Sequence, residues 1–235
     1  GIPIILQAGP SCRAHTPIPI LGKMFRYLAS QTKTNICCHV DHGYTLDECY
    51  EGIDSGFTSV MFDGSKLTLK ENIKISKKIA LRAHKHNISV EGEIGFVGYD
   101  NGKISEGTNI EDAVTFANKS NIDAMAISVG NTHLQTSKKA SIDFNKINLI
   151  EAKTKIPLVL HGSSGIPVEQ RKKLARKTKV AKLNIGTEIR MTFGEALRKN
   201  LKNNPKTYDR LQLLKPTIKD LTKVTKKIIK QIGPN

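Results

Sequence analysis

Seven near-continuous apolar runs, each followed by a segment with helical spacing of its apolar residues, constrain this 235-residue chain more than any other feature. A strand that is apolar throughout, rather than in alternation, has both faces covered, which is the pattern of a parallel sheet flanked by helices. Strands are expected at 2–9, 36–43, 57–63, 88–94, 124–129, 156–160 and 180–185. Helices are expected at 20–30, 45–55, 68–86, 110–119, 144–153, 167–177, 188–201 and 218–232, and the segment holding Pro10, Pro17 and Pro19 reads as a loop. Thr45 with Glu48 three residues on is a capping box that fixes the start of one helix. The βα unit recurs about every thirty residues with no linker between units, so the reading is one α/β domain over residues 1–235. A closed (β/α)8 TIM barrel needs an eighth strand, and the chain opens inside a strand; a first βα unit of roughly fifty residues is therefore expected to be absent, leaving the barrel N-terminally incomplete. A doubly wound open sheet needs no eighth strand and is the alternative, but the G-x-G-x-x-G of a dinucleotide-binding first turn is missing.

Composition narrows the partners. The net charge of +16 invites nucleic acid, yet the lysines are spread over nearly every expected helix with few aromatics among them. The dense runs at 171–179 and 215–230 read as solvated helix faces, so the charge is assigned to solubility and attraction for phosphorylated metabolites, with no nucleic-acid partner. No apolar run reaches the roughly 18 residues of a membrane span and no secretory leader is evident, which predicts a soluble cytoplasmic protein without a membrane partner. Cys12, Cys37, Cys38 and Cys49 form no C-x-x-C pair and read as reduced thiols.

The chemistry gathers where the expected strands end. These ends read Asp41-His42, Asp63-Gly64-Ser65, Glu91-Gly92-Glu93, Gly130-Asn131-Thr132-His133, His161-Gly162-Ser163-Ser164-Gly165 and Asn184-Ile185-Gly186-Thr187-Glu188. In a barrel they would face one crater. His42, His133 and His161, at three separate strand ends, match the three-histidine set of a catalytic zinc site, which leaves a coordination position for substrate. The small residues Gly162, Ser163 and Ser164 allow backbone N–H groups to approach an anion, and the loop at 184–188 repeats that composition.

At these residues the chain resembles the class II, metal-dependent ketose-bisphosphate aldolases, the fructose- and tagatose-bisphosphate aldolase family. The resemblance runs from Ile4-Ile5-Leu6-Gln7 to Leu214-Lys215-Pro216 and is carried by Val40-Asp41-His42-Gly43, the segment 56–65, Val90-Glu91-Gly92-Glu93-Ile94-Gly95, the segment 158–167 and Lys182-Leu183-Asn184-Ile185-Gly186-Thr187-Glu188. It implies a (β/α)8 barrel, a homodimer or homotetramer, and reversible cleavage of a ketose 1,6-bisphosphate to dihydroxyacetone phosphate and an aldehyde. By the same resemblance His42, His133 and His161 bind Zn²⁺, Asp63 and Glu93 match a second metal position, and a monovalent cation is a further possible cofactor. Asp41 is then the proton carrier at the C4 hydroxyl, and Asn184 a hydrogen-bond donor to the oxygen that gains charge. Gly162, Ser163, Ser164, Asn184, Ile185, Gly186 and Thr187 hold dihydroxyacetone phosphate, with Lys215 reaching the second phosphate across a subunit contact.

Several positions depart from the family pattern. Leu134 stands where a Gly usually follows the zinc histidine, Gly9 where many members have Ser, and the acidic loop is reduced to Gly98-Tyr99-Asp100-Asn101-Gly102. Asp100 is the expected replacement for the loop's proton carrier. Arg13 and His15 are candidates for a phosphate or hydroxyl contact near the aldehyde end. The other readings are a different zinc-dependent enzyme on phosphorylated sugars and a non-catalytic barrel subunit of an aldolase complex. Retention of Asp41 together with all three histidines disfavours the latter.

Overall fold

The computed structural model describes residues 2–99 and 107–233. Seven strands form a single sheet in strict chain order, every neighbouring pair parallel. They are β1 (Ile4–Ala8), β2 (Ile36–Gly43), β3 (Ser59–Phe62), β4 (Ser89–Ile94), β5 (Ala124–Ile127), β6 (Leu158–Leu160) and β7 (Val180–Leu183). The helices are α1 (Pro10–His15), α2 (Ile18–Ser30), α3 (Leu46–Asp54), α4 (Leu69–Lys85), α5 (Ile110–Lys119), α6 (Phe144–Lys153), α7 (Val168–Lys177), α8 (Thr187–Asn203), α9 (Arg210–Leu214) and α10 (Thr217–Ile232).

The expected strands and helices are found, most of them shorter at the ends. Two short helices were not expected. Proline is tolerated in the first helical turn, where its missing N–H would have had no partner, so Pro10 opens α1 instead of breaking it. At α9 the side chain of Asp209 caps the N–H of Leu211. The capping box at Thr45 and Glu48 is present, and Thr68 with Glu71 forms a second one at α4.

The sheet is curled. At about 4.8 Å per strand, β2 and β7 would lie about 24 Å apart in a flat sheet. Yet Lys182 Nζ on β7 is 3.2 Å from Nε2 of His39 on β2 and 2.7 Å from Oε2 of Glu91 on β4. Such contacts need a concave face on which distant strands converge. Met61, Ala126 and Val159 from β3, β5 and β6 form a small buried apolar cluster of their own, in register with these strands. The main core lies on the convex side, where Val40, Val60, Phe62, Val90, Met125, Ile127, Leu158 and Leu160 pack under the helices that supply Phe25, Ile53, Ile79, Phe116, Ile147 and Leu174. Seven parallel strands curled around a filled interior, with helices outside, bear out a parallel α/β sheet of barrel-like curvature.

Candidate active site

The site begins with an irregularity in β2. Successive side chains of a strand point to opposite faces, so Asp41 and His42 in regular geometry could not share one. The ladder passes over both residues: pairing with β1 ends at Ala8 and Val40, and pairing with β3 jumps from Val40–Val60 to Gly43–Phe62. His42 has φ +51°, a left-handed conformation rare outside glycine. This bulge turns both side chains to the concave face, where Asp41 is buried at 7% exposure and His42 at 8%. Asp41 accepts from Nδ2 of Asn184 at 3.0 Å and from Nε2 of Gln7 at 3.3 Å.

His42, His133 and His161 bring one ring nitrogen each within 4.8 Å of one another, with ring centroids 4.5, 5.3 and 5.7 Å apart. Nε2 of His42 faces Nδ1 of His161 at 2.8 Å. The opposite nitrogens are engaged by carboxylates: Nδ1 of His42 lies 2.8 Å from Oδ2 of Asp63, and Nε2 of His161 lies 2.9 Å from Oε1 of Glu91. Carboxylates behind imidazoles fix ring orientation and raise ligand basicity, and three convergent imidazoles are a donor set that zinc takes. His42, Asp63 and Glu93 form a second group of the same compactness. Oε2 of Glu93 is buried with no hydrogen-bond partner among the described residues, an acceptor that a cation would satisfy. The residues present therefore fit a metal.

The charges divide along the same lines. Burial acts to lower the pKa of His42, but its hydrogen bond to Asp63 and the charges of Asp41, Glu93 and Asp63 outweigh it and raise it to about 9. Burial and then the positive His42 push His133 down to about 4 and hold His161 well below the usual imidazole range. Asp63, against the burial penalty, is drawn down to about 2 by His42 and Ser65. Burial and the neighbouring Asp63 raise Glu93 well above the usual carboxylate range. Asp41 also pays a burial penalty, yet Lys182, His161 and His42 bring its pKa below the ordinary value and keep it a carboxylate.

Two loops border this cluster. Gly162 has φ +61°, and a Cβ there would stand 2.2 Å from the carbonyl oxygen of Thr132. Only glycine lets the turn at 162–165 lie against the His133 loop. Ser163 N–H donates to Asn184 O at 3.0 Å, and the N–H of Glu188 donates to Oγ of Ser164 at 3.2 Å, joining the turn to the segment Ile185, Gly186, Thr187 that opens α8. The first-turn N–H groups of this 17-residue helix lie beside that turn, in the arrangement that receives anions.

Sequence reasoning missed the residues beneath these loops. Fully buried Arg171 donates to Ser163 O at 2.9 Å, Ser164 O at 2.7 Å and Oε2 of Glu188 at 2.7 Å. Its place in a run of exposed lysines hid it. Lys182 and Glu91, whose side chains are nearly buried at 2.7 Å, had a visible signal: charged residues inside apolar strand runs. Tyr99 stacks on His133 with centroids 5.0 Å apart, and Tyr44 stacks on His42 at 6.3 Å.

Arg13, a candidate for a phosphate or hydroxyl contact, directs its guanidinium to the backbone oxygens of Ala8, Asp41 and His42. His15 is exposed and pairs with the hydroxyl of Thr16. Leu134 adopts φ +58°, which explains a preference for Gly at that position. A Cβ at Gly9 would lie 3.6 Å from Oδ2 of Asp41, so the missing side chain leaves room beside that carboxylate. Lys215 is exposed after α9 and takes no part in the contacts of the cluster. Asp100 lies outside the described residues.

Parallel strands curled around three convergent histidines and a buried carboxylate define a barrel-like α/β fold with a candidate metal centre. The chain belongs to the class-II fructose-bisphosphate aldolase family, whose model matches residues 1–235. It is 37% identical over 201 residues to the 6-phospho-5-dehydro-2-deoxy-D-gluconate aldolase of Shouchella clausii, covering 84% of this chain and 68% of that protein. It is 34% identical over 202 residues to the fructose-bisphosphate aldolase of Staphylococcus aureus strain Mu50, covering 84% and 70%. Among solved structures, the YdjI aldolase of Escherichia coli K12 superposes with a TM-score of 0.82 at 26% identity, covering 99% of this chain and 82% of that one. The fructose-bisphosphate aldolase of Campylobacter jejuni, at 20% identity and a TM-score of 0.80, shares the fold.

Proposed function

We propose that this aldolase cleaves a phosphorylated ketose reversibly to dihydroxyacetone phosphate and an aldehyde. The observation that carries the reading is the convergence of His42, His133 and His161 on the Asp41–Asn184 pair. His42, His133 and His161 would hold zinc, which when bound supplies Lewis-acid polarisation of a substrate carbonyl. Asp41, kept ionised by the charges around it, takes the proton from the hydroxyl on the carbon that leaves as aldehyde and returns it in the condensation direction. Asn184 holds that carboxylate with Nδ2, and its own Oδ1 is buried without a partner among the described residues, ready for a substrate hydroxyl. Gly162 to Ser164 and Ile185 to Thr187, with the N-terminus of α8, receive the phosphate of the three-carbon product. Asp63 and Glu93 hold a second cation position beside His42, with a monovalent cation as a further cofactor; Asp100 carries a proton at the three-carbon product, and Lys215 serves a second phosphate in a homodimer or homotetramer.

Two substrate skeletons suit this chemistry. Fructose 1,6-bisphosphate leaves a phosphorylated aldehyde, whereas 6-phospho-5-dehydro-2-deoxy-D-gluconate, the compound in the name of the 37% identical relative, leaves a three-carbon aldehyde carrying a carboxylate. Both leave dihydroxyacetone phosphate, so one coupled assay reads either. The test is cleavage of both compounds and of tagatose 1,6-bisphosphate before chelation, after chelation and after return of zinc. Cleavage that chelation abolishes and zinc restores supports the reading, and the preferred compound names the substrate. A zinc-loaded protein that releases dihydroxyacetone phosphate from none of the three overturns this assignment.

A further inference from the structure

We infer that Arg13 is a positioning residue that holds the β2 bulge in the shape that aims Asp41 and His42 into the same crater. The inference rests on the roles proposed above for those two residues. It starts from a bookkeeping problem in the backbone. Where β2 bulges, Asp41 and His42 fall out of register with both neighbouring strands. Buried carbonyl groups need hydrogen-bond partners, and here the ladder does not provide them. Arg13 does. Its Nη1 donates to Ala8 O at 2.8 Å and to Asp41 O at 2.5 Å, and its Nη2 donates to His42 O at 2.9 Å. The side chain is only 6% exposed, and its remaining charged neighbour is Glu48, at 3.6 Å.

Glu48 is itself tied to the turn that follows the bulge. Its Oε2 accepts from the N–H of Tyr44 at 2.6 Å and of Thr45 at 3.3 Å. Arg13 thus links the end of β1, the bulge and the first turn of α3. The planar fork of a guanidinium can serve several carbonyls in fixed directions, while an ammonium is a compact point donor that cannot reproduce that geometry. Leaving a bulge with φ +51° at His42 without these bonds lets the chain relax toward regular strand, in which one of the two side chains must swing to the opposite face. Arg13 therefore acts through Asp41 and His42, without touching substrate.

The test compares Arg13→Lys and Arg13→Met with the parent. Zinc affinity is measured by competition with a chromophoric chelator, kcat and KM by cleavage of the preferred substrate, and folding by circular dichroism and thermal melting. Expected for both folded variants are zinc affinity reduced about 10- to 100-fold and kcat reduced about 100-fold with KM within about threefold, because an angstrom of misplacement costs about that much in rate. Arg13→Met should suffer more than Arg13→Lys. If Arg13→Met does not fold, Arg13→Lys, which keeps the cation and a donor, decides alone. A folded variant with parental zinc affinity and parental kcat overturns the inference. Zinc affinity is read without substrate, so it tests Arg13 even if the proposed reaction fails; Asp41→Asn with full cleavage activity would mark that separate failure.

Discussion

Asn184 Nδ2 donates to Asp41 Oδ1 at 3.0 Å across 143 residues of chain, joining the ends of β7 and β2 on the concave face of the sheet. Neither residue is held by its own strand alone. The carboxylate is oriented by an amide that arrives only when the sheet has curled, so the orientation of the proposed base is a property of the completed fold. Asp41→Asn keeps the size and removes the base. It is expected to lower kcat for cleavage by about 10²- to 10⁴-fold while leaving zinc content and melting temperature near parental values. Steady-state kinetics together with metal analysis of the same preparation check this.

Removal of one imidazole separates metal binding from folding. His133 is the least buried of the three, and among the described residues it has no carboxylate behind its ring comparable to Asp63 or Glu91. His133→Ala should leave the protein folded, lower bound zinc well below one per chain after dialysis, and reduce cleavage to background. Elemental analysis and circular dichroism on the same sample decide it. Full zinc occupancy in His133→Ala would remove this residue from the ligand set.

Much of this could be read from the chain, for reasons that differ between fold and site. The strands announce themselves as apolar runs because a parallel sheet buries both faces, and the helices between them keep a 3.6-residue period. The three histidines were legible because each closes such a run. The bulge was not: Val40-Asp41-His42-Gly43 reads as a plain strand end, and nothing local in it specifies that the ladder skips two residues. The backbone contacts of Arg13 are hidden for the same reason, since its partners are carbonyl oxygens, which carry no sequence signature. Arg171 lies among many basic residues, and only the packing distinguishes a buried cation from a solvated one.

Gly162→Ala tests whether the turn at 162–165 is held by backbone geometry. The added methyl would meet Thr132 O at 2.2 Å in a conformation with φ +61°. Strain of this kind costs about 1–3 kcal/mol, and the contact with backbone leaves no flexible side chain to yield. Loss of stability in urea titrations should be accompanied by a raised KM for the phosphorylated substrate, because the same turn carries the proposed phosphate contacts. Unchanged stability would show that the loop carrying Thr132 yields to the added methyl.

Glu188 gives a pH dependence with a definite sign. Burial alone would raise its pKa, but hydrogen bonds from Arg171 and Lys138 win and lower it. A carboxylate lowered in the folded state contributes stability that is fully present above its unfolded pKa of about 4.3 and is lost as pH falls through the folded value. Acid titration of stability should therefore show a loss below about pH 4.3 that Glu188→Gln lacks. At neutral pH the same substitution should cost about 1–3 kcal/mol, the range for a hydrogen bond to a charged group, since Arg171 is fully buried.

The interior pair of Lys182 and Glu91 separates what stabilises the barrel from what tunes the site. Lys182 Nζ lies 2.7 Å from Oε2 of Glu91, and the other oxygen of that carboxylate is 2.9 Å from Nε2 of His161. Lys182→Met removes one charge and leaves Glu91 buried without its cation, which should cost about 3–5 kcal/mol. Replacing both partners, Lys182→Met with Glu91→Leu, removes the uncompensated charge as well, and such apolar exchanges of buried pairs are often close to neutral. Stability in chemical denaturation should therefore recover in the double variant. Zinc affinity should not, because His161 has lost the carboxylate that orients it, and a fall of about 10- to 100-fold is expected. If zinc affinity returned together with stability, Glu91 would be a structural partner of Lys182 alone and the orientation of His161 would have to come from its packing.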